Sequence, residues 1–219
     1  RGDDCRDVAQ TTDGGFVLVG HAWGGMSMVK TDSFGDVLWT RSYGGFEGFS
    51  VKQTSDGGFI LLGDSTVNGI GSFHVVKTDS IGRTIWAKLF YKGNMYYSGY
   101  EVAQTPDNGY VFVGELNGMS SPNNRICLVK MDSMGDALWT RTYTPGSGTS
   151  LDITSDGGFA ILGLTYDDEV RLHDLFLIKT DSNGISPSAS TDSSNLELPE
   201  VIDIHKKIET TVCPNPFTN

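Results

Sequence analysis

The stretch that decides the fold is VKQTSDGGFILLG (51–63), followed after a short variable segment by VVKTDSIGRTIWAKLF (75–90). Val8–Gly20, Val102–Gly114 and Leu151–Gly163 repeat its first half; Met28–Tyr43, Leu128–Tyr143 and Leu177–Gly184 repeat its second. The Asp of the DGG turn recurs as Asp13, Asp56, Asp107 and Asp156, at spacings of 43, 51 and 49 residues. The Asp of a DSxG turn recurs as Asp32, Asp79, Asp132 and Asp181, at spacings of 47, 53 and 49. Two markers that keep their order through four copies define a tandem array. In such arrays each unit needs neighbours to bury its apolar faces.

Within a unit the sequence predicts four short strands. The first, such as DVAQT, runs into TDGG, SDGG or PDNG, where Asp-Gly and Asn-Gly supply the positive φ of a tight turn. The second, FVLVG, FILLG, YVFVG or FAILG, is almost wholly apolar, as suits a strand covered on both faces. The third, such as HVVKTD, ends in the DSxG turn. In the fourth, VLWTRSY, a period of two sets Leu38, Thr40 and Ser42 on one face and Trp39, Arg41 and Tyr43 on the other. Four antiparallel strands per unit of this length match the blade of a β-propeller. The expectation is an all-β fold, a propeller of four-stranded antiparallel blades over 1–43, 44–90, 91–143 and 144–184, the last incomplete and the whole part of a larger array.

Composition narrows the function. With 38% hydrophobic and 11% aromatic residues among 219, the chain can build a core, and its 28 glycines fall largely at fixed turn positions. A formal charge of −11 and a pI near 4.6 speak against nucleic acid and against anionic membranes. No run approaches the roughly 18 apolar residues of a spanning helix. Cys5, Cys127 and Cys213 show no metal or redox spacing, and Cys127, beside the strand ICLVK, reads as a small buried apolar residue.

The ends carry expectations of their own. Aligning Val8 with Val51 puts Arg1 just after the point where an earlier Trp strand would end, and the fourth copy has Ser188 where Trp is due. An upstream Trp strand would then pair with Leu175–Thr180, which without it is an exposed edge. Residues 185–210 read as a Ser/Pro-rich linker in which LELPEVIDIHKKIET allows one weak strand or none, and 211–219 as the truncated opening of a further domain.

Gln53–Gly63 and Lys77–Trp86 resemble the repeat of secreted propellers from Bacteroidetes-type bacteria, whose units run QTSDGGYIxxG and then KxDSxGxxxWxxxYGG; the likeness covers about residues 1–184. A weaker likeness to the DxxTGxxxW unit of quinoprotein propellers covers only blade-forming residues and implies no cofactor. The tail VCPNPFTN resembles the start of the C-terminal sorting domain of type IX secretion cargo, where PNPF follows a Ser-rich linker. These resemblances imply a secreted protein, extracellular or on the outer cell surface, with the type IX secretion machinery as a partner.

Hairpin connectivity puts the DGG and DSxG turns on one side of the array. The segments His21–Ser27, Asp64–His74, Glu115–Cys127 and Thr165–Phe176 vary in length and lie on the other, where binding surfaces of repeat proteins often form. That side holds Trp23, Phe46, Phe49, Tyr91, Tyr96, Tyr97, Tyr100 and Tyr166, with Asp167 beside the last. The insertion YKGNMYYSGY (91–100) is the best single patch. Such rings can stack on the apolar faces of sugars, and Asp167 can bind polar groups; the weightier alternative is that the rings cover seams between blades. The DSxGD turns lack the further spaced oxygens of a calcium loop, so turn chemistry explains them and no metal is expected. The four histidines occupy unrelated repeat positions, and neither HExxH nor GxSxG occurs. The resulting expectation is a non-catalytic module, without cofactor, that binds polysaccharide or protein in surface adhesion. The alternatives are an accessory propeller of a larger exported hydrolase and a structural spacer.

Overall fold

The computed structural model describes residues 3–22, 24–91, 95–118, 125–143, 146–167, 172–187, 191–192 and 200–203; at 95, 117–118, 165–167, 172–174 and in the last two segments it describes backbone alone. The described residues form four antiparallel sheets and no helix. In particular, they contain no helix long and apolar enough to cross a membrane.

The first sheet is a meander of β1 (Asp4–Gln10), β2 (Phe16–Ala22), β3 (Gly25–Thr31) and β4 (Val37–Gly44). The second runs β5 (Gly48–Gln53), β6 (Phe59–Val67), β7 (Ile70–Thr78) and β8 (Thr84–Tyr91), and the third β9 (Met95–Gln104), β10 (Tyr110–Gly118), β11 (Arg125–Met131) and β12 (Ala137–Tyr143). The fourth has only three strands, β13 (Ser147–Ile153), β14 (Phe159–Asp167) and β15 (Leu172–Thr180).

The segment expected as linker contains β16 (Thr191–Asp192), which pairs with β12, and β17 (Glu200–Asp203), which pairs with β8. This chain folds back and covers sheet edges that would otherwise present unpaired backbone. β15 remains at the edge of its sheet, with Leu175 74% and Leu177 67% exposed.

The turns are built by their aspartates. In the DGG turn, Asp56 Oδ1 accepts hydrogen bonds from the Thr54 hydroxyl and the Gly58 amide, and Asp13, Asp107 and Asp156 do the same in their units. In PDNG, Asn108 takes the positive φ, at 62°, that Gly57 takes at 79°. In the DSxG turn, Asp79 Oδ1 accepts from the amides of Ile81 and Arg83, and Asp32, Asp132 and Asp181 repeat the pattern.

A third strand locks onto each DGG turn. Lys77, its side chain 4% exposed, donates to Asp56 Oδ2 at 2.8 Å and to the Thr78 carbonyl at 2.8 Å. Lys30, Lys130 and Lys179 make the equivalent bonds to Asp13, Asp107 and Asp156. Burial alone would raise the Asp56 carboxyl, but Lys77, the Thr54 hydroxyl and the Gly58 amide outweigh it and hold the pKa at about 2; Asp107 sits at about 2 for the same reasons. Both values lie below the ordinary 3.8, so this contribution to stability is fully present above pH 3.8 and is lost as pH falls through 2. Lys77→Met keeps the apolar stem and removes the donor, so it is expected to destabilise the protein by about 1–2 kcal/mol and to raise the Asp56 pKa. Urea midpoints and carboxyl NMR titration measure the two effects.

The sheets stack in chain order through three apolar clusters. At the first seam Val17, Val19, Met26 and Met28 meet Phe59, Leu61 and Val76. At the second Ile60, Leu62, Phe73 and Val75 meet Val102, Phe112 and Val129. At the third Val111, Val113, Ile126 and Leu128 meet Leu151, Phe159, Ile161 and Ile178. Alternate residues of one strand therefore serve opposite seams, Ile60 and Leu62 forward, Phe59 and Leu61 backward. That is why the second strand of each unit is apolar at every position. Among the described residues no fourth cluster joins the last sheet to the first.

Each fourth-strand Trp clamps the following unit. Trp39, Trp86 and Trp139 pack edge-on to Phe59, Tyr110 and Phe159, with ring centroids 6.2, 5.7 and 5.9 Å apart. They also cover Gly82, Gly135 and Gly184, where an added Cβ would lie 2.8–2.9 Å from the indole. Tyr43 and Tyr143 donate their hydroxyls to the Gly82 and Gly184 carbonyls. Gly82, Gly135 and Gly184 thus satisfy both the positive φ of the turn, 72–80°, and the close approach of the preceding unit's indole. As expected, Cys127 is buried; Cys5 is exposed, and both are free thiols.

The segments expected as variable loops differ from that reading. β6 runs to Val67 and β7 begins at Ile70, joined only by Asn68 and Gly69 at φ of 52° and 81°. β9, β10, β14 and β15 likewise extend into the segments read as loops or insertions. Length variation is absorbed by longer hairpin arms, which satisfy their own backbone groups as a loop would not.

Candidate functional site

Each first strand carries one residue more than its partner can pair. Cys5 faces Gly20 and Asp7 faces Val19, leaving Arg6 out of register. Phe49, Tyr100 and Thr149 are left out in the same way in the second, third and fourth sheets. A β-bulge bends its strand and re-aims the extra side chain, and bulges concentrate next to functional sites. A glycine of the second strand lies opposite each bulge and allows it: at Gly63 a Cβ would lie 2.2 Å from the Glu47 carbonyl.

Because the sheets stack in order, the bulge residues form a row. The Arg6 guanidinium lies 5.8 Å from the Phe49 ring centroid, and Phe49 and Tyr100 are 6.3 Å apart. Thr149 takes the fourth place by register. Arg6 donates from Nε to Glu47 at 2.8 Å, and the Tyr100 hydroxyl donates to Glu115 at 3.0 Å. Burial, with Glu115 beside it, pushes the Tyr100 phenol up to about 12, so it stays a donor at every physiological pH.

Neighbouring charges hold the row in place. Asp7 accepts from the Ser50 hydroxyl and the Val51 amide, and Glu101 accepts from the Ser150 hydroxyl and the Leu151 amide. Lys52 bridges these carboxylates, 3.7 Å from Asp7 and 3.2 Å from Glu101. Although burial opposes it, these hydrogen bonds and Lys52 lower the Glu101 pKa. The result is a cation and two rings in line, flanked by acceptors. Such a strip can stack on apolar faces and exchange hydrogen bonds with a polar ligand.

The expected site residues separate. Tyr96 is 51% exposed, whereas Tyr97, beside it on β9, is 5% exposed and packs edge-on to Phe73 at 5.0 Å. Tyr97 is therefore a seam ring, not a surface platform. Tyr91 is half-buried against the cluster of the second seam, and Tyr100 joins the bulge row. Trp23 lies outside the described residues, as do the side chains of Tyr166 and Asp167, whose backbone ends β14. Among the described residues no group of three or more His, Cys, Asp or Glu could hold a metal ion.

Arg6, Glu47 and Glu115 escape a reading of composition. The signal for the row was nonetheless present: Arg, Phe, Tyr and Thr vary at a place two residues before the apolar Val8, Val51, Val102 and Leu151, while those neighbours repeat. No protein-family model matches the sequence, and no curated protein matches it.

Proposed function

We propose that these sheets are blades of a β-propeller, secreted or held on the outer cell surface, and that the protein binds polysaccharide or protein without catalysis. The bulge row carries this reading: a structural device repeated in every unit presents a different side chain each time, Arg6, Phe49, Tyr100 and Thr149. A spacer has no use for such variation on an otherwise repeated frame. Tyr96, on the strand that carries Tyr100, offers a further exposed ring. The PNPF tail supports export through the type IX machinery; it lies outside the described residues. As an accessory propeller of a larger exported hydrolase, the protein would use the same face to hold substrate.

The test is binding to arrays of extracellular glycans and to cell-surface protein extracts. Tyr96→Ala and Phe49→Ala are expected to weaken the strongest interaction about tenfold, equivalent to about 1.4 kcal/mol, with thermal midpoints near that of the parent. Tyr97→Ala should instead lower stability. Unchanged binding in both surface variants would leave the spacer reading.

A further inference from the structure

The two ends of the array are complementary to one another. On the fourth sheet Leu162, Leu175 and Leu177 hold the places of Leu62, Phe73 and Val75. The latter are 0–1% exposed inside the second seam, whereas the former are 41%, 74% and 67% exposed. On the first sheet Val8, Leu18 and Val29 hold the places of Val51, Leu61 and Val76, all buried at the first seam. Here Val8 is exposed, and Leu18 and Val29 line a groove of about 410 Å³ with Gly35, Val37 and Thr40. Gly35 is the counterpart of Gly82, Gly135 and Gly184, yet nothing lies within 4 Å of the Cβ it would carry.

Polar groups follow the same pattern. At the first two seams a turn amide, Thr12 or Ser55, donates to a glutamine of the next sheet, Gln53 or Gln104. At the third seam donor and acceptor are lost together, since Pro106 has no N–H and Ile153 no side-chain acceptor. The free ends restore the pair: Ser155 stands at the donor place on the fourth sheet and Gln10 at the acceptor place on the first. Likewise Ser50 accepts from the Val102 amide across the second seam, and Ser150 and Val8 hold those two places at the ends.

We infer that the chain associates head to tail with a second copy of itself, the fourth sheet of one against the first sheet of the other. Three internal seams show what covers such faces, namely another sheet of this repeat. A second copy supplies that sheet with matching apolar and polar register. The contact is heterologous, so it closes into a ring or runs on as a filament.

Sedimentation velocity of the full chain over a concentration series tests this. The parent is expected to exceed monomer mass with rising concentration. Leu175→Asp/Leu177→Asp, altered on one face, and Val8→Asp/Leu18→Lys, altered on the other, should each be monomeric. Their equimolar mixture should form a dimer, because each retains one intact face. If Leu18→Lys disturbs folding, Val8→Asp alone, at an exposed position, replaces it. A parent that is monomeric at every concentration overturns the inference. So does a Val8 variant that still dimerises alone, since that would mean a like-to-like contact, or a mixture that stays monomeric.

Discussion

Trp86→Ala is expected to cost about 3–5 kcal/mol of folding stability, the largest effect of any single replacement proposed for this protein. The side chain is 5% exposed and fills the second seam, edge-on to Tyr110 and over Gly135. Its Nε1–H donates to the Ser133 carbonyl at 3.2 Å. Removing it forfeits apolar burial, leaves a cavity between two sheets and deprives that carbonyl of a donor. Trp86→Phe keeps a ring but not the donor and should lose about 1 kcal/mol more than its change in volume explains. Trp39→Ala should cost less, because Trp39 is only half-buried. Since each sheet contacts mainly its neighbours, loss of one seam should appear as lost amide protection in the second and third sheets before global unfolding. Hydrogen exchange with urea titration reads both quantities, and a Trp86→Ala protein that unfolds like the parent would refute the clamp.

His74→Phe and Asp64→Asn are expected to tilt the pH profile of stability in opposite directions. His74 is buried, neither ring nitrogen has a hydrogen-bond partner, and burial pulls its pKa from 6.5 to about 4. Between those values the unfolded chain takes up a proton that the folded chain does not. Stability therefore falls as pH drops from 6.5 to 4, by about 3 kcal/mol for this group.

Asp64 runs the other way. Burial pushes its carboxyl up from 3.8 to about 6, even though the Glu47 amide donates to it. The folded protein takes up this proton first, so stability rises as pH drops from 6 to 3.8, by about 3 kcal/mol. The two nearly cancel in the parent. His74→Phe leaves the rise and Asp64→Asn leaves the fall, visible in urea midpoints taken from pH 7 to pH 4. The repeat itself shows that Phe fits: Phe176 sits beside Gly146 and the Leu164 carbonyl as His74 sits beside Gly45 and the Asp64 carbonyl. Removing two unpartnered buried nitrogens should also stabilise the protein at pH 7 by about 1 kcal/mol. Flat profiles in both variants would refute the opposition.

Much of the frame is written locally. The DGG and DSxG turns fold as read because their aspartates bond to amides two to four residues on, a purely short-range matter. Strand order follows from those turns, and the all-apolar second strand correctly signalled burial on both faces. The hairpin arms read as loops in sequence, since Ser65, Thr66 and Ser72 look like loop residues until Asn68–Gly69 joins them in register. The bond from each third-strand lysine to the turn aspartate, 17 to 23 residues earlier, was likewise invisible to local pattern.

The turns and strand order are legible in sequence because they depend on residues within one hairpin of each other, and the burial of the second strands is legible because the apolar pattern marks both faces, although the neighbouring sheets supply it. Which aromatics are surface and which are seam depends instead on packing between sheets. Tyr96 and Tyr97 are adjacent in a strand, and alternation sends one to solvent and the other against Phe73 of the preceding sheet. The row of Arg6, Phe49 and Tyr100 also depends on that packing: these residues lie 43 and 51 positions apart in the chain, and only a bulge in each first strand together with the stacking of the sheets brings them into contact.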